Sequence, residues 1–335
     1  MRPSYLPRLI NGPFDDPGLF IPLTFQRRAI LFDLGDISSL AAGDLLKTSH
    51  VFVSHTHMDH FIGFDRLLRL LLGRPKSVEI YGPPGFIANV AGKLKSYSWN
   101  LVQNYAEGLI VHVAEIHSDR RIECSFDCCK GFKPSPIKES AQDGPIVYEE
   151  PALQVRTAIL DHQIPSLAFS LKEHFHVNIL KARLDELGLA VGPWVGAFKT
   201  HLFNSDDPET PIQVLDSAPR NRPRIFKLGE LADKIAMITP GQKVTYVADA
   251  VYSSENEMKI IQLARNSDQL FIEAAFLEVD REVARLKYHL TAHQAGTIAR
   301  KAGAKELRIF HHSPRYLDQA DRLEIEARRA FEDGP

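Results

Sequence analysis

The run Ser54-His55-Thr56-His57-Met58-Asp59-His60 places four ligand-capable side chains within six positions, in the pattern H-x-H-x-D-H. Neutral imidazole and carboxylate are good donors for Zn²⁺ and also suit Mn²⁺ or Fe²⁺. The run follows an apolar stretch, HVFVSH (50–55), and precedes a helical one. A turn between the two can aim His55 and His57 at one cation while Asp59 and His60 face a second. A solvated turn, or a helix cap by Asp59, explains the pattern poorly, because four such groups are costly to gather without a cation.

The elements that must hold these groups are legible as an alternation of short apolar strands and amphipathic helices. Strands are predicted at 28–33, 50–55, 78–85, 109–116, 152–160, 166–171, 243–249, 270–274 and 306–311. Helices are predicted at 61–73, from the turn after 85 to Ser96, from Ser253 onward, at 292–304 and at 317–333. The stretch between 116 and 152 reads as a polar loop region. Several strands stop on a residue that can ligate or move a proton: Asp33, His55, Asp161–His162, Asp249, Glu273 and His311. In open α/β folds such strand ends converge, so these residues point to a single centre.

Residues 173–228 break the rhythm and include GPWVGAFK (192–199) and PRNRPR (219–224). They read as an insertion that projects from the core rather than as a second core. The expected organisation is therefore one core at 1–172 and 229–335 with an inserted arm at 173–228. A solvated loop or a dimer contact is the other reading of that arm.

Composition narrows the function classes. With 335 residues, 44% hydrophobic and 24% charged, the chain has globular values rather than those of a disordered or repetitive one. Forty Lys and Arg against 42 Asp and Glu leave a net charge of −2, so any polyanion must be met by a local patch or a metal site. No run of about 18 apolar residues offers a membrane span, and the first residues lack a secretory pattern. Three cysteines are too few for a disulfide framework, and Cys124, Cys128 and Cys129 lack the second pair a structural zinc site needs. A reducing cytoplasm is the expected compartment.

The H-x-H-x-D-H run resembles the signature of the metallo-β-lactamase superfamily. The remaining segments resemble its ribonuclease Z branch: DHQIPSLAF (161–169), GPWVGAFK (192–199), IEAAF (272–276), HLTAHQAGTIA (289–299) and HHSPRY (311–316). The resemblance covers roughly residues 31–332. It implies an αβ/βα sandwich of two mixed sheets with outer helices. It also implies two divalent ions, most readily Zn, with Mn or Fe as alternatives. His55, His57, His162 and Asp249 would hold one ion; Asp59, His60, Asp249 and His311 would hold the other, with Asp249 bridging. Asp33 would support the ligands from behind. Asp59 would position the nucleophile, and His289, oriented by Glu273, would serve as acid. The arm would grip RNA through Trp194, Lys199, Arg220, Arg222 and Arg224. The implied reaction is hydrolysis of a phosphodiester at the 3′ end of precursor tRNA by metal-activated water, in a homodimer. The alternative is a hydrolase of a small non-RNA phosphodiester on the same scaffold.

The match has gaps. Of the family's early D-x-G-E-G-T-Q run only Asp33 and Gly35 survive, H-E-A-T is Ile272-Glu273-Ala274-Ala275, and H-S-T is His289-Leu290-Thr291. These changes fall on loops beside the expected ligands rather than on the ligands.

Overall fold

The structure is a computed structural model that describes residues 4–24, 26–216 and 222–332. Arg220 therefore lies outside the described residues. The chain divides into two compact units: Tyr5–Val147, Val155–Leu171 and Lys243 onward form the larger, and Tyr148–Gln154 with Lys172–Gln242 and Ser4 form the smaller.

The larger unit is a sandwich of two mixed sheets. In the first, Ala29–Phe32, Thr48–Phe52, Lys76–Gly82 and Leu109–Ile116 lie side by side and parallel. Parallel strands are covered on both faces, and Ala29–Phe32 accordingly has all four side chains buried. Helices Phe64–Leu71 and Phe86–Lys95 cover one face, packing Phe64, Leu67, Leu68, Phe86 and Val90 against Val51, Val78, Ile80 and Val111. In the second sheet Lys243–Val247, Gln269–Glu273 and Leu307–Phe310 are also parallel neighbours. Helices Ser254–Ala264, Ala292–Ala302 and Ala320–Glu332 contribute to the apolar cluster of this half. An aromatic layer joins the two sheets: Phe32 stacks on Phe169 at 5.4 Å, lies 5.8 Å from Tyr246, and Tyr246 stacks on Phe310 at 5.1 Å.

Two sequence expectations change here. The helix expected at 61–73 is two helices, Met58–Phe61 and Phe64–Leu71. Gly63 separates them because a Cβ there would stand 2.3 Å from the Gly35 carbonyl oxygen. The stretch between 116 and 152 is not loop: it contains strands Arg120–Asp127, Lys138–Ala141 and Ile146–Glu150. Arg120–Asp127 pairs antiparallel with Leu109–Ile116. Its alternation is present in the sequence, with Ile122, Cys124 and Phe126 against Glu123, Ser125 and Asp127, but it is short and flanked by charged and polar residues.

The smaller unit also departs from expectation, because it has an apolar core of its own. Leu184, Leu189, Trp194, Phe198, Ile212, Val214, Phe226, Leu228, Leu231 and Ile235 pack together. Strand Phe175–Ile179 pairs with Ala236–Pro240, and Pro211–Leu215 pairs with Pro223–Lys227. Helices Trp194–Phe203 and Leu228–Ile235 contribute the larger apolar side chains. The sequence hides this core because its apolar residues are spread over five short elements with polar loops between.

Candidate metal centre

Parallel strands bring their carboxyl ends to one edge, and the candidate residues collect there within the larger unit. The nitrogen or oxygen donors of His55, His57, His162 and Asp249 all lie within 4.8 Å of one another. Asp59, His60 and His311 form a second such group. Asp249 touches both: its Oδ2 is 3.7 Å from His55 Nε2, 3.6 Å from His162 Nε2 and 3.5 Å from His60 Nε2, and its Oδ1 is 3.2 Å from His311 Nε2. Asp59 Oδ2 stands 3.5 Å from His60 Nε2 and 3.3 Å from His311 Nε2. All seven residues expected as ligands are thus brought together.

The local backbone is shaped for this. Asp33, Gln163, Tyr288 and His311 have φ near +60°, and each is a site residue or the neighbour of one. Side chains pay about 1–3 kcal/mol to sit in that region, so the strain is held by the surrounding fold. Gly35 lets the turn after Asp33 approach the ligand loop: a Cβ there would fall 2.5 Å from the Asp59 carbonyl oxygen.

Each imidazole is oriented from behind. Asp33, fully buried, receives the Ser54 backbone N–H at 2.6 Å, the Ser54 hydroxyl at 2.8 Å and the Tyr246 hydroxyl at 2.9 Å. Its Oδ2 is also 2.9 Å from His60 Nδ1, which turns His60 Nε2 toward Asp249. His162 donates from Nδ1 to the Tyr288 carbonyl at 2.8 Å, which likewise frees Nε2. Asn256 clamps the loop that carries His162: its side chain meets Asp161 N at 3.0 Å and Asp161 O at 2.9 Å. Sequence reasoning missed Tyr246, Asn256, Tyr288 and the Ser54 hydroxyl. Ser54 stands beside the motif, and Tyr246 three residues before Asp249, but only the packed sheets bring Tyr246 to Asp33.

Electrostatics follow from burial and charge. Burial drives the His55 pKa down to about 2, helped by neighbouring His60. Burial also lowers His57, with His162 adding to the effect. Burial opposes charge on His60 and His311, but Asp249 together with Asp33 for His60, and together with Asp59 for His311, holds both above the ordinary histidine range. Asp249 is buried yet kept well below the usual carboxylate range by His311 and His60. Burial would raise Asp59, but His311 and His60 bring it down to about 2. The centre therefore contains acidic groups that demand adjacent positive charge, beside imidazoles held neutral.

Asp249 Oδ1 and His55 Nε2 are buried and make no hydrogen bond within the chain. Orphaned polar atoms of this kind are costly unless a ligand takes them. Together with a donor set of imidazoles and carboxylates, they fit one or two divalent cations of the Zn, Mn or Fe type.

Glu273 and His289 sit at the edge of the same centre. His289 Nδ1 is 3.2 Å from Glu273 Oε2 and 3.9 Å from Asp249 Oδ2. Glu273 Oε1 also receives Ala250 N at 3.0 Å and Leu290 N at 3.2 Å. Both backbone donors engage Oε1, which leaves Oε2 facing the His289 imidazole. Burial works against charge on His289, but Glu273 holds its pKa up to about 9. His312, the other histidine of the pair, is buried against Phe14 and donates to the Ala274 carbonyl at 2.9 Å.

The residues expected to touch RNA lie in the smaller unit and do not share one environment. Trp194 is 8% exposed, and its indole N–H donates to Ala190 O at 2.8 Å. It is a core residue, not a free surface aromatic. The Lys199 ammonium is pushed below its ordinary pKa by burial, with Glu173 opposing. Arg222 is exposed. Arg224 bonds Leu187 O at 3.0 Å and Asp216 Oδ1 at 3.2 Å, and lies over the Phe226 ring. Cys128 and Cys129, with sulfurs 3.9 Å apart, form a small cluster with Asp127 at the end of strand Arg120–Asp127, beside the amino end of Leu109–Ile116.

No family model matches the chain. Curated relatives do. The chain is 30% identical over 319 residues to ribonuclease Z of Thermobifida fusca, covering 92% of this chain and 83% of that protein. It is 29% identical over 309 residues to ribonuclease Z of Deinococcus radiodurans, covering 90% and 87%. Among solved structures it resembles the metallo-β-lactamase-fold protein YhfI of Bacillus subtilis, with a TM-score of 0.55, 16% identity and 97% and 92% coverage. It also resembles human tRNase Z, short form, with a TM-score of 0.51, 18% identity and 93% coverage of each chain. These structural likenesses concern the fold, which is the metallo-β-lactamase sandwich. The chain belongs to the ribonuclease Z family of metal-dependent phosphodiester hydrolases.

Proposed function

We propose that the chain is an endoribonuclease that removes 3′ extensions from precursor tRNA, using two divalent ions, preferentially Zn²⁺. The observation that carries this reading is Asp249, whose two oxygens reach both groups of ligand-capable residues. When bound, the ions supply Lewis acidity toward phosphoryl oxygens and make water a nucleophile near neutral pH.

The chain's own residues do the rest. His55, His57 and His162 complete one ligand group with Asp249, and Asp59, His60 and His311 the other. Asp33 fixes the His60 tautomer, the kind of support whose loss typically weakens a metal site by about 10- to 100-fold. Asp59 is positioned to orient the attacking water. Glu273 holds a proton on His289 Nδ1, which leaves Nε2 as the nitrogen that protonates the departing 3′ oxygen. A small phosphodiester as the natural substrate is not favoured, because curated relatives that match over nine-tenths of the chain are ribonucleases Z. The smaller unit is the proposed RNA-gripping arm, acting through Lys199, Arg222 and Arg224 rather than through the buried Trp194. Action as a homodimer in a reducing cytoplasm belongs to the same reading, supported by the family relationship and by three free thiols.

The test is direct. The protein is incubated with a 3′-extended tRNA, with and without chelator, and product ends are mapped. A single cut that removes the 3′ extension, lost on chelation and restored by Zn²⁺, is expected. Cleavage of a small phosphodiester with none of the RNA would overturn the reading.

A further inference from the structure

The larger unit carries a second concavity, of about 820 Å³, along helix Ser254–Ala264. Arg156, Lys243, Lys259, Arg265 and Lys301 line it, against a single carboxylate, Glu257. Lys301 is paired with Glu257 at 2.6 Å, Lys259 reaches Ile159 O at 3.0 Å and Glu255 at 2.7 Å, and Lys243 donates to Arg265 O at 2.8 Å. Arg156 and Arg265 are exposed, and neither guanidinium makes an ion pair among the described residues.

Pockets for small molecules are mostly apolar with a few placed polar groups. This one carries five cationic side chains against one carboxylate, on a protein whose net charge is −2, and two of the five, Arg156 and Arg265, are left without an ion pair among the described residues. The helix along it has 11 residues, or roughly 16 Å at 1.5 Å per residue, which spans several phosphates rather than one. The same helix is tied to the metal centre. Asn256, in its first turn, bonds Asp161 beside His162 and also Val251 O at 2.8 Å, two residues past Asp249.

We propose that this groove is a track for the sugar-phosphate backbone of the RNA substrate, away from the scissile bond and without base readout. It rests on the RNA reading of the metal centre. Cations meeting phosphates position a nucleic acid, and each contact adds a counterion-release term to the affinity.

The test uses the full-length, metal-loaded protein carrying Arg156→Gln and Arg265→Gln together, with Arg156→Lys/Arg265→Lys as the charge-conserving control. Dissociation constants for a 3′-extended tRNA transcript are measured by fluorescence anisotropy over a series of KCl concentrations, beside hydrolysis of a chromogenic phosphodiester. The Gln variant is expected to lose about 1.5–2 units of the slope of log affinity against log salt. Its KM for RNA should rise roughly tenfold at low salt, with kcat and small-substrate hydrolysis unchanged. The Lys variant should keep the slope. An unchanged slope in a Gln variant of normal melting temperature, while the wild type still cuts precursor tRNA, overturns the groove. So does an unchanged slope with altered sedimentation, which would make this face a contact between copies of the chain. RNA binding by the wild type without cleavage overturns the proposed reaction but leaves the slope as a test of the groove. No RNA binding by the wild type overturns both.

Discussion

The two units handle polar residues in opposite ways. In the larger, Asp33, His55, His60, Asp249 and Glu273 are at most 2% exposed and converge on one point. In the smaller, the interior is apolar apart from Glu173 and His176, and the other charges lie outside in pairs such as Lys227 with Glu209 and Lys234 with Glu230. Buried polar groups are costly unless compensated, so their concentration in one unit marks where a cation and chemistry belong. Exposed pairs contribute little to stability, which leaves the smaller unit's surface free to serve binding.

Four substitutions probe this contrast, from the largest effect to the smallest. Asp249→Ala removes the one residue shared by both ligand groups. Metal content by elemental analysis should fall below that of any single histidine variant, and activity should vanish. Metal content equal to wild type would mean that Asp249 does not bridge. His289→Ala should leave metal content intact and reduce kcat by about 10²- to 10⁴-fold, the usual range for general acid catalysis. Loss of metal in that variant would move His289 into the ligand set, where its grouping with Asp249 and Glu273 would then be explained.

Phe198→Ala addresses the other unit. The ring is fully buried in the apolar cluster, so truncation should cost about 3–5 kcal/mol of that unit's stability. Denaturant unfolding followed by Trp194 fluorescence, in a Trp99→Phe background so that only the smaller unit reports, should show it. Metal content and hydrolysis of a small phosphodiester should be untouched. If they fall in step with the Trp194 signal, the two units do not divide the work as described. The smallest effect is expected for Lys227→Ala. This exposed lysine forms a surface ion pair with Glu209, at 2.6 Å, so melting should be unchanged. A clear loss of melting temperature would contradict the view that the smaller unit's charges are dispensable for folding.

Much of the centre was legible before any fold was in hand, and the reason is local. His55, His57, Asp59 and His60 are close in the chain, so their spacing alone signals a cation. Asp33, Asp249 and His311 each follow an apolar strand, and a strand that ends in a ligand-capable residue is readable one segment at a time. Tertiary structure alone decided what depends on contacts between distant segments. The Tyr246 hydroxyl reaches Asp33 across 213 positions, and Asn256 reaches Asp161 across 95. No periodicity encodes either bond. The same holds for the core around Phe198, whose members are spread from Leu184 to Ile235. The pattern of a single segment records its own apolar face, whereas a hydrogen bond or a core between segments exists only once the chain has closed on itself.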